Sequence, residues 1–300
     1  MSEIRKGLLY AFTCYCAWGL FPIYFKAIRA LAPSEILVHR ILWSLLFLLS
    51  VLAVRKQWSW LSQLRHQKKL LLGFSASALL LSINWLIYIW AIDNNKIIDA
   101  SLGYFMTPLV NVFLGSLFLK ERLNKAQWLS VALAAFGVLW LTLQTPHAPW
   151  IGLCLAISFG AYGLLRKTAP LGALEGLTLE TMLLFPFALA YFIYLLSQGE
   201  SQFSAAPTQV MILVLAAGPI TAVPLLLFAA AARRIPLASL GLMQYISPSI
   251  QLLLGIFIFH EQFSTERLIS FAGIWLGLLI YSLDGIYRTA YFQKRKDAEI

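Results

Sequence analysis

Ten stretches of this chain are each long and apolar enough to cross a bilayer as a helix, and that repetition constrains the fold more than any motif. They run over roughly 7–27, 35–54, 70–92, 99–119, 126–143, 150–168, 177–196, 208–232, 237–259 and 267–286. About 20 apolar residues rising 1.5 Å each cover a hydrocarbon core of roughly 30 Å. The connectors are mostly short and polar, leaving no room for a soluble domain. Only 12% of residues are charged, about half the share of a soluble domain. The expected fold class is an all-α membrane protein of ten transmembrane helices.

The formal net charge of +10 would suit a nucleic-acid binder, but its distribution favours a different partner, the lipid bilayer. If the ten runs alternate in direction, 18 of the 23 lysines and arginines fall on one side. The other side holds Lys26, Arg29, Lys96 and Arg267, and Arg40 lies inside the second run. The positive-inside rule then places both termini in the cytoplasm. The opening "RKGLLYAFTCYCAWGLF" has the basic start and apolar body of a secretion signal. Its apolar run is too long for one, and Lys26 and Arg29 occupy what would be a neutral cleavage region, so a retained first helix is expected. Cys14, Cys16 and Cys154 lie inside runs and read as small core residues rather than as metal ligands.

The chain also aligns with itself at a shift of 140. "TPLVNVFLGSLFLKERL" at 107–123 lies over "SPSIQLLLGIFIFHEQF" at 247–263, matching Pro108 with Pro248, Asn111 with Gln251, Gly115 with Gly255, and Glu121 with Glu261. Gly137 meets Gly277 at the same shift, and Lys26 meets Lys167 one residue further on. The unit is five helices, an odd number, so the second copy starts on the opposite side of the membrane. The domain reading is a first repeat at 7–143, a second and inverted one at 150–287, and a cytoplasmic tail at 288–300. Inverted repeats of this kind build transporters, whose substrate lies near the midplane between interrupted helices at matching places.

Thr107-Pro108 and Ser247-Pro248 mark those places. A proline frees the carbonyl four residues earlier, here of Tyr104 and Gln244, and one turn later comes an amide, Asn111 or Gln251. The candidate substrate-binding set is therefore Tyr104, Thr107, Asn111, Gln244, Tyr245 and Gln251, with helix kinks at Pro108 and Pro248. The third run adds Asn84 beside Trp85, with Tyr88 one turn on, an amide among aromatics that suits a partly polar ligand. Packing kinks and interhelical hydrogen bonds are the plainer alternatives for these residues. Arg40 and Glu180 are ionisable residues within runs, which makes them functional suspects. Arg40 would attract an anionic group near the outer mouth, or merely snorkel to the interface; Glu180 would carry a proton if burial favoured its neutral form. Their depths differ by on the order of 15 Å of helix rise, so separate roles are expected.

Other motif-like features carry little. "HEQF" lacks the second histidine of a zinc-protease site, and "SLGYF" is followed by no phosphate loop. No nucleophile–base set or acid pair suggests catalysis, so neither an enzyme nor a cofactor is expected. Around Gly115 and Gly255 the small-residue faces suit internal packing or a homo-oligomer equally.

"SLGYFMTPLVNVFLGSLFLKERL" resembles the EamA family of the drug/metabolite transporter superfamily. With "CAWGLFPIYFKAI", "EILVHRILWSLLFL" and "INWLIYIWAIDNNKIIDASLGYF", the chain resembles more narrowly the RarD-type, or chloramphenicol-sensitive, branch, over roughly 5–290. The resemblance implies a bacterial inner-membrane carrier with a central cavity that exports or exchanges small metabolites or drugs; it assigns no binding residues. Aromatic lining without paired buried charges favours a neutral, zwitterionic or aromatic small-molecule substrate, handled by alternating access. A non-transporting sensor or assembly protein and a lipid flippase on the same scaffold are the alternatives.

Overall fold

The computed structural model describes residues 2–94, 96–144, 149–260 and 265–297. Asn95, Glu261 with the rest of "HEQF" beyond His260, and 298–300 lie outside the described residues, as do the side chains of Asp93, Arg267 and 286–297. Every regular element described is an α-helix: α1 (Glu3–Gly19), α2 (Phe21–Ala27), α3 (Pro33–Arg55), α4 (Trp60–His66), α5 (Lys68–Asp93), α6 (Ile97–Phe118), α7 (Lys125–Leu143), α8 (Trp150–Thr168), α9 (Ala173–Gln198), α10 (Thr208–Leu215), α11 (Ala217–Ala232), α12 (Leu237–Gln244), α13 (Ile246–Phe257) and α14 (Thr265–Asp297).

Nine helices or successive helix pairs among the described residues are long and apolar enough to cross a membrane. The helix at the sixth run, α8, is not among the nine; it ends in Arg166 and Lys167 and packs against α5 and α6. The spanning helices are apolar on every face, because one face meets lipid tails and the other meets helices of similar polarity. Leu72, Leu86, Phe136, Leu139 and Phe187 stay exposed accordingly. The protein is a helical, multi-pass membrane protein.

Small residues set the crossings, since lipid supplies little hydrophobic drive between helices and close backbone approach must supply van der Waals contact. At the α7–α14 crossing, a Cβ on Gly277 would lie 2.6 Å from the Ser130 carbonyl, and one on Gly137 would meet the Ser270 carbonyl. Gly7 of α1 sits against Ile235, and Gly19 against Ile250. Gly115 faces Glu121 and Leu237 and is used inside the fold. Two interior clusters follow. One joins Ala11, Tyr15, Tyr162, Phe228 and Leu240; the other joins Phe105, Val112, Ala134, Tyr245 and Phe271. Helix α1 packs on α11 and α13, whereas α8 packs on α5 and α6; α3 meets α9 and α11, α5 meets α9, α6 meets α12, and α7 meets α14.

Helix breaks correct the expected kinks. The ninth run does break, but at Tyr245, three residues before Pro248. A proline tolerates the first turn of a helix and clashes with the carbonyl four residues back, so α12 ends and α13 begins with Pro248 in its first turn. Helix α6, in contrast, runs unbroken through Pro108. A neighbouring helix supplies donors there: the Tyr245 hydroxyl donates to the Phe105 carbonyl at 3.0 Å. Two further breaks, at Leu20 and Ala216, were not expected.

Candidate functional site

A cavity of about 480 Å³ lies at the centre of the bundle. Its walls come from the junction of α1 and α2 (Trp18, Phe21, Phe25), α3 (Leu37, Arg40), α5 (Asn84, Trp85, Tyr88), α6 (Tyr104, Thr107), α8 (Phe159), α11 (Thr221) and the α12–α13 break (Gln244, Ser247, Pro248, Gln251). It reaches the end of the molecule where Arg29, Leu31 and Pro33 of the α2–α3 turn face Ile92 of α5 and Ala100 of α6. Helix breaks at Leu20 and Tyr245 put backbone turns, rather than a continuous helix surface, beside the cavity.

Most of the residues singled out in the sequence converge here, with exceptions. Asn84 lines the cavity, while its Nδ2 donates to the Leu155 carbonyl at 2.9 Å and to Ser158 Oγ at 3.0 Å, so it also ties α5 to α8. Tyr88 and Tyr104 meet edge to face with ring centroids 6.1 Å apart. Thr107 donates back to the Gly103 carbonyl of its own helix, and Gln251 Nε2 donates to the Trp18 carbonyl at 3.2 Å. Asn111 does not line the cavity. It is fully buried behind Gln244, donates from Nδ2 to Gln244 Oε1 at 3.4 Å, and leaves its own Oδ1 without a partner. That contact turns the Gln244 carbonyl inward and leaves its NH₂ for the cavity. Tyr245 is likewise fully buried in the core, spent on Phe105. Both lie on the side of their helices that packs against a neighbour.

Arg40 does not snorkel. Its guanidinium turns into the cavity, with Nε donating to Thr221 Oγ1 at 3.0 Å and Cζ lying 5.0 Å from the Trp85 ring centroid and 5.7 Å from that of Phe25. Glu180 sits elsewhere. Its Oε1 accepts from Ser77 Oγ at 2.5 Å and lies 3.5 Å from Arg166 Nη1, and its Oε2 accepts from the Tyr162 hydroxyl at 3.3 Å. Trp85, Thr221 and Leu225 separate this cluster from the cavity. By position in the sequence Arg166 belongs with the solvated basic ends of the runs, yet it is fully buried. A lone carboxylate deep in a run is costly unless paired; Glu180 itself was therefore the only signal of such a partner. Gly176 makes the pair possible, because a Cβ there would collide with the Arg166 guanidinium.

The sequence also missed Glu35. Its buried carboxylate accepts from Ser201 Oγ at 2.7 Å and from the backbone N–H groups of Gln202 and Phe203, anchoring the α9–α10 connector to α3. His39 lies one turn on, its Nδ1 accepting from Trp43 Nε1.

The opposite end of the cavity is closed twice. First comes an aromatic plug, in which Trp18 packs against Tyr15, Phe159 and Phe228 at centroid distances of 5.6–5.8 Å, and Tyr162 stacks on Phe228. Beyond it lies a polar latch around the α11–α12 turn. Glu121 accepts from the N–H groups of Leu237 and Ala238, at 2.7 and 3.0 Å, which caps the first turn of α12. Lys167 Nζ donates to the Ala232 and Ile235 carbonyls and lies 3.8 Å from Glu121. Arg233 binds the Ala169 and Leu171 carbonyls, and Arg234 pairs with Glu3 at 2.9 Å. Burial and then the charges of Arg166 and Arg234 lower the Arg233 guanidinium from its ordinary value; it stays a cation at physiological pH.

Comparison with known proteins agrees with this architecture. Residues 5–143 match the EamA-like transporter family. An uncharacterized transporter of Pseudomonas aeruginosa, PA0485, is 44% identical over 94% of this chain and 95% of its own length. The protein RarD of Escherichia coli is 41% identical over 95% of this chain and 97% of its own. A crystal structure 17% identical in sequence superimposes with a TM-score of 0.70, covering 93% of this chain and 97% of that one, and so shares the fold.

Proposed function

The chain belongs to the RarD-type branch of the EamA-like transporter family, and from that premise we propose an alternating-access carrier of small metabolites or drugs. The cargo would sit in the central cavity, and export or exchange is the direction that the resemblance supports. The observation that carries this reading is a site open to one end and sealed at the other by plug and latch. We read the fold as ten spans in two inverted five-helix repeats, with α8 as the sixth span, in a bacterial inner membrane with both termini cytoplasmic.

The packing supports the inversion. Exchanging the halves turns the contacts of α1 with α11 and α13 into those of α8 with α5 and α6. It likewise turns Gly137 against Ser270 into Gly277 against Ser130, each pair related by the same shift of 140. Repeat counterparts are engaged unequally, as alternation requires. Lys167 holds two carbonyls of the latch, while Lys26 stands 4.1 Å over the Phe259 ring. In the opposite-facing state the two lysines exchange these roles.

Thiol accessibility tests the alternation. In a background with Cys14, Cys16 and Cys154 replaced by Ala, Gln251→Cys should react with an impermeant thiol reagent from the outer face of spheroplasts, and weakly in inverted vesicles. Adding Glu121→Gln and Lys167→Met removes two of the charged groups that hold the latch, worth about 1.5–3 kcal/mol for each bond to a charged group. Reaction in inverted vesicles should then rise at least tenfold. Labelling that is indifferent to side and to the latch would contradict alternating access through this cavity.

A further inference from the structure

The charge inside the cavity names a cargo class. Among the described residues, Arg29 and Arg40 are its charged lining residues, and no aspartate or glutamate lines it. Arg29 stands at the mouth and is exposed; Arg40 is the deep one. Of the five N–H donors of the Arg40 guanidinium, Nε is used by Thr221, and neither terminal nitrogen has a protein hydrogen-bond acceptor among the described residues. Nearby carboxylates are already engaged. Glu35, on the same helix, is held by Ser201, Gln202 and Phe203, and Glu180 by Arg166, Ser77 and Tyr162. The Tyr24 hydroxyl donates to the Leu213 carbonyl. A guanidinium cannot escape its charge by losing a proton, and a charge taken out of bulk water is costly unless paired.

We propose that the missing partner is the cargo: a small monoanion, a carboxylate on an aromatic or aliphatic body, bound two-pronged by the terminal nitrogens of Arg40. This rests on the carrier reading above and departs from the expectation of a neutral, zwitterionic or aromatic substrate by giving the cargo a net negative charge. Planar carboxylates match the fork of a guanidinium, and Trp85 and Phe25 already flank it. Trp18, Phe21, Tyr88, Tyr104 and Phe159 line the remainder and accept the apolar body. The Gln244 amide offers a second donor. Among the described lining residues an amine or ammonium finds no counter-charge, and it meets Arg40 instead. A polyanion finds a single guanidinium at depth. Arg29 at the entrance raises the local concentration of anions.

The test is a matched series on purified protein: 3-phenylpropionate, hexanoate and indole-3-acetate, each with its amide and the amine of equal length, read as thermal stabilisation and as counterflow in proteoliposomes. At least one acid should half-saturate at a tenfold lower concentration than its amide, and the amines should be weakest. Arg40→Gln should bring that acid down to the level of its amide, and Arg40→Lys should keep part of the preference. Because the ligand series is read on the natural protein, it decides the matter even if a variant fails to fold. An amide or amine equal to its acid, an acid preference that survives in Arg40→Gln, or no acid acting at all overturns the monoanion. Counterflow of a neutral or cationic compound together with that result would leave the carrier standing; absence of counterflow with every compound would count against the carrier itself.

Discussion

Glu180→Ala should be among the most damaging single changes in the protein. It strands the fully buried Arg166, whose Nε and Nη1 have no hydrogen-bond partner beyond the ion pair. Breaking a buried pair from one side costs roughly 3–5 kcal/mol, a large part of a typical folding free energy. In detergent this should appear as a clear fall in the midpoint of thermal aggregation followed by size-exclusion chromatography. Glu180→Gln keeps one acceptor oxygen, puts an NH₂ in place of the other, loses the counter-charge, and should fall between. Removing both charges, as Arg166→Met with Glu180→Leu, should recover most of the stability, since well-packed apolar pairs often equal buried ion pairs. An unchanged midpoint for Glu180→Ala would mean that the pair is solvated. The double variant also bears on proton coupling: gradient-dependent accumulation that survives in it excludes Glu180 as a proton carrier.

Gly277→Leu should separate α7 from α14. A Cβ at that position would lie 2.6 Å from the Ser130 carbonyl, and backbone cannot rotate away as a side chain can. Overpacking alone costs about 1–3 kcal/mol, and weaker van der Waals packing along the whole crossing adds to it. Gly137→Leu, its counterpart, should do the same through Ser270. Gly73 is the control, because no atom lies within 4 Å of a Cβ placed there. Gly73→Ala should leave thermal stability unchanged or raise it by up to about 1 kcal/mol through helix propensity. Equal effects at Gly277 and Gly73 would show that the α7–α14 crossing is looser than its geometry implies.

What could be read from the sequence follows from which forces act locally. Apolar run length is a property of each segment, and it located most of the helices within a few residues, but not the polar end of α14 beyond residue 286 or the short α4. The self-alignment paired Gly137 with Gly277, which the fold places in equivalent contacts. Helix breaks were harder, because a proline removes one bond whose replacement comes from elsewhere. Breaks at Leu20, Ala216 and Tyr245 each precede a proline by two or three residues, at Pro22, Pro219 and Pro248, while Pro108, Pro186 and Pro224 remain inside helices. Nothing in the local sequence separates the two groups; for Pro108 a donor from Tyr245 lies next to the freed carbonyl. Arg40, Asn84 and the tyrosines of α5 and α6, which line the cavity, stood out in the sequence because polar and aromatic groups are scarce in such runs. Asn111 and Tyr245 share that signature but face neighbouring helices, and side-chain direction is fixed by tertiary packing. Arg166 was hidden by its position at the end of a run, where a solvated basic residue is the common case.

Counterflow in proteoliposomes of the purified protein tests the central claim most directly. Vesicles preloaded with the carboxylate, amide and amine series are given tracer amounts of each labelled compound, beside protein-free vesicles and the Gln251→Cys protein before and after thiol modification. A carrier should take up at least one labelled compound only when that compound is preloaded, and blocking the cavity at Gln251 should abolish the uptake. Uptake that ignores preloading would mean a channel or leak, and folded protein exchanging nothing across the series would contradict transport of small molecules by this cavity.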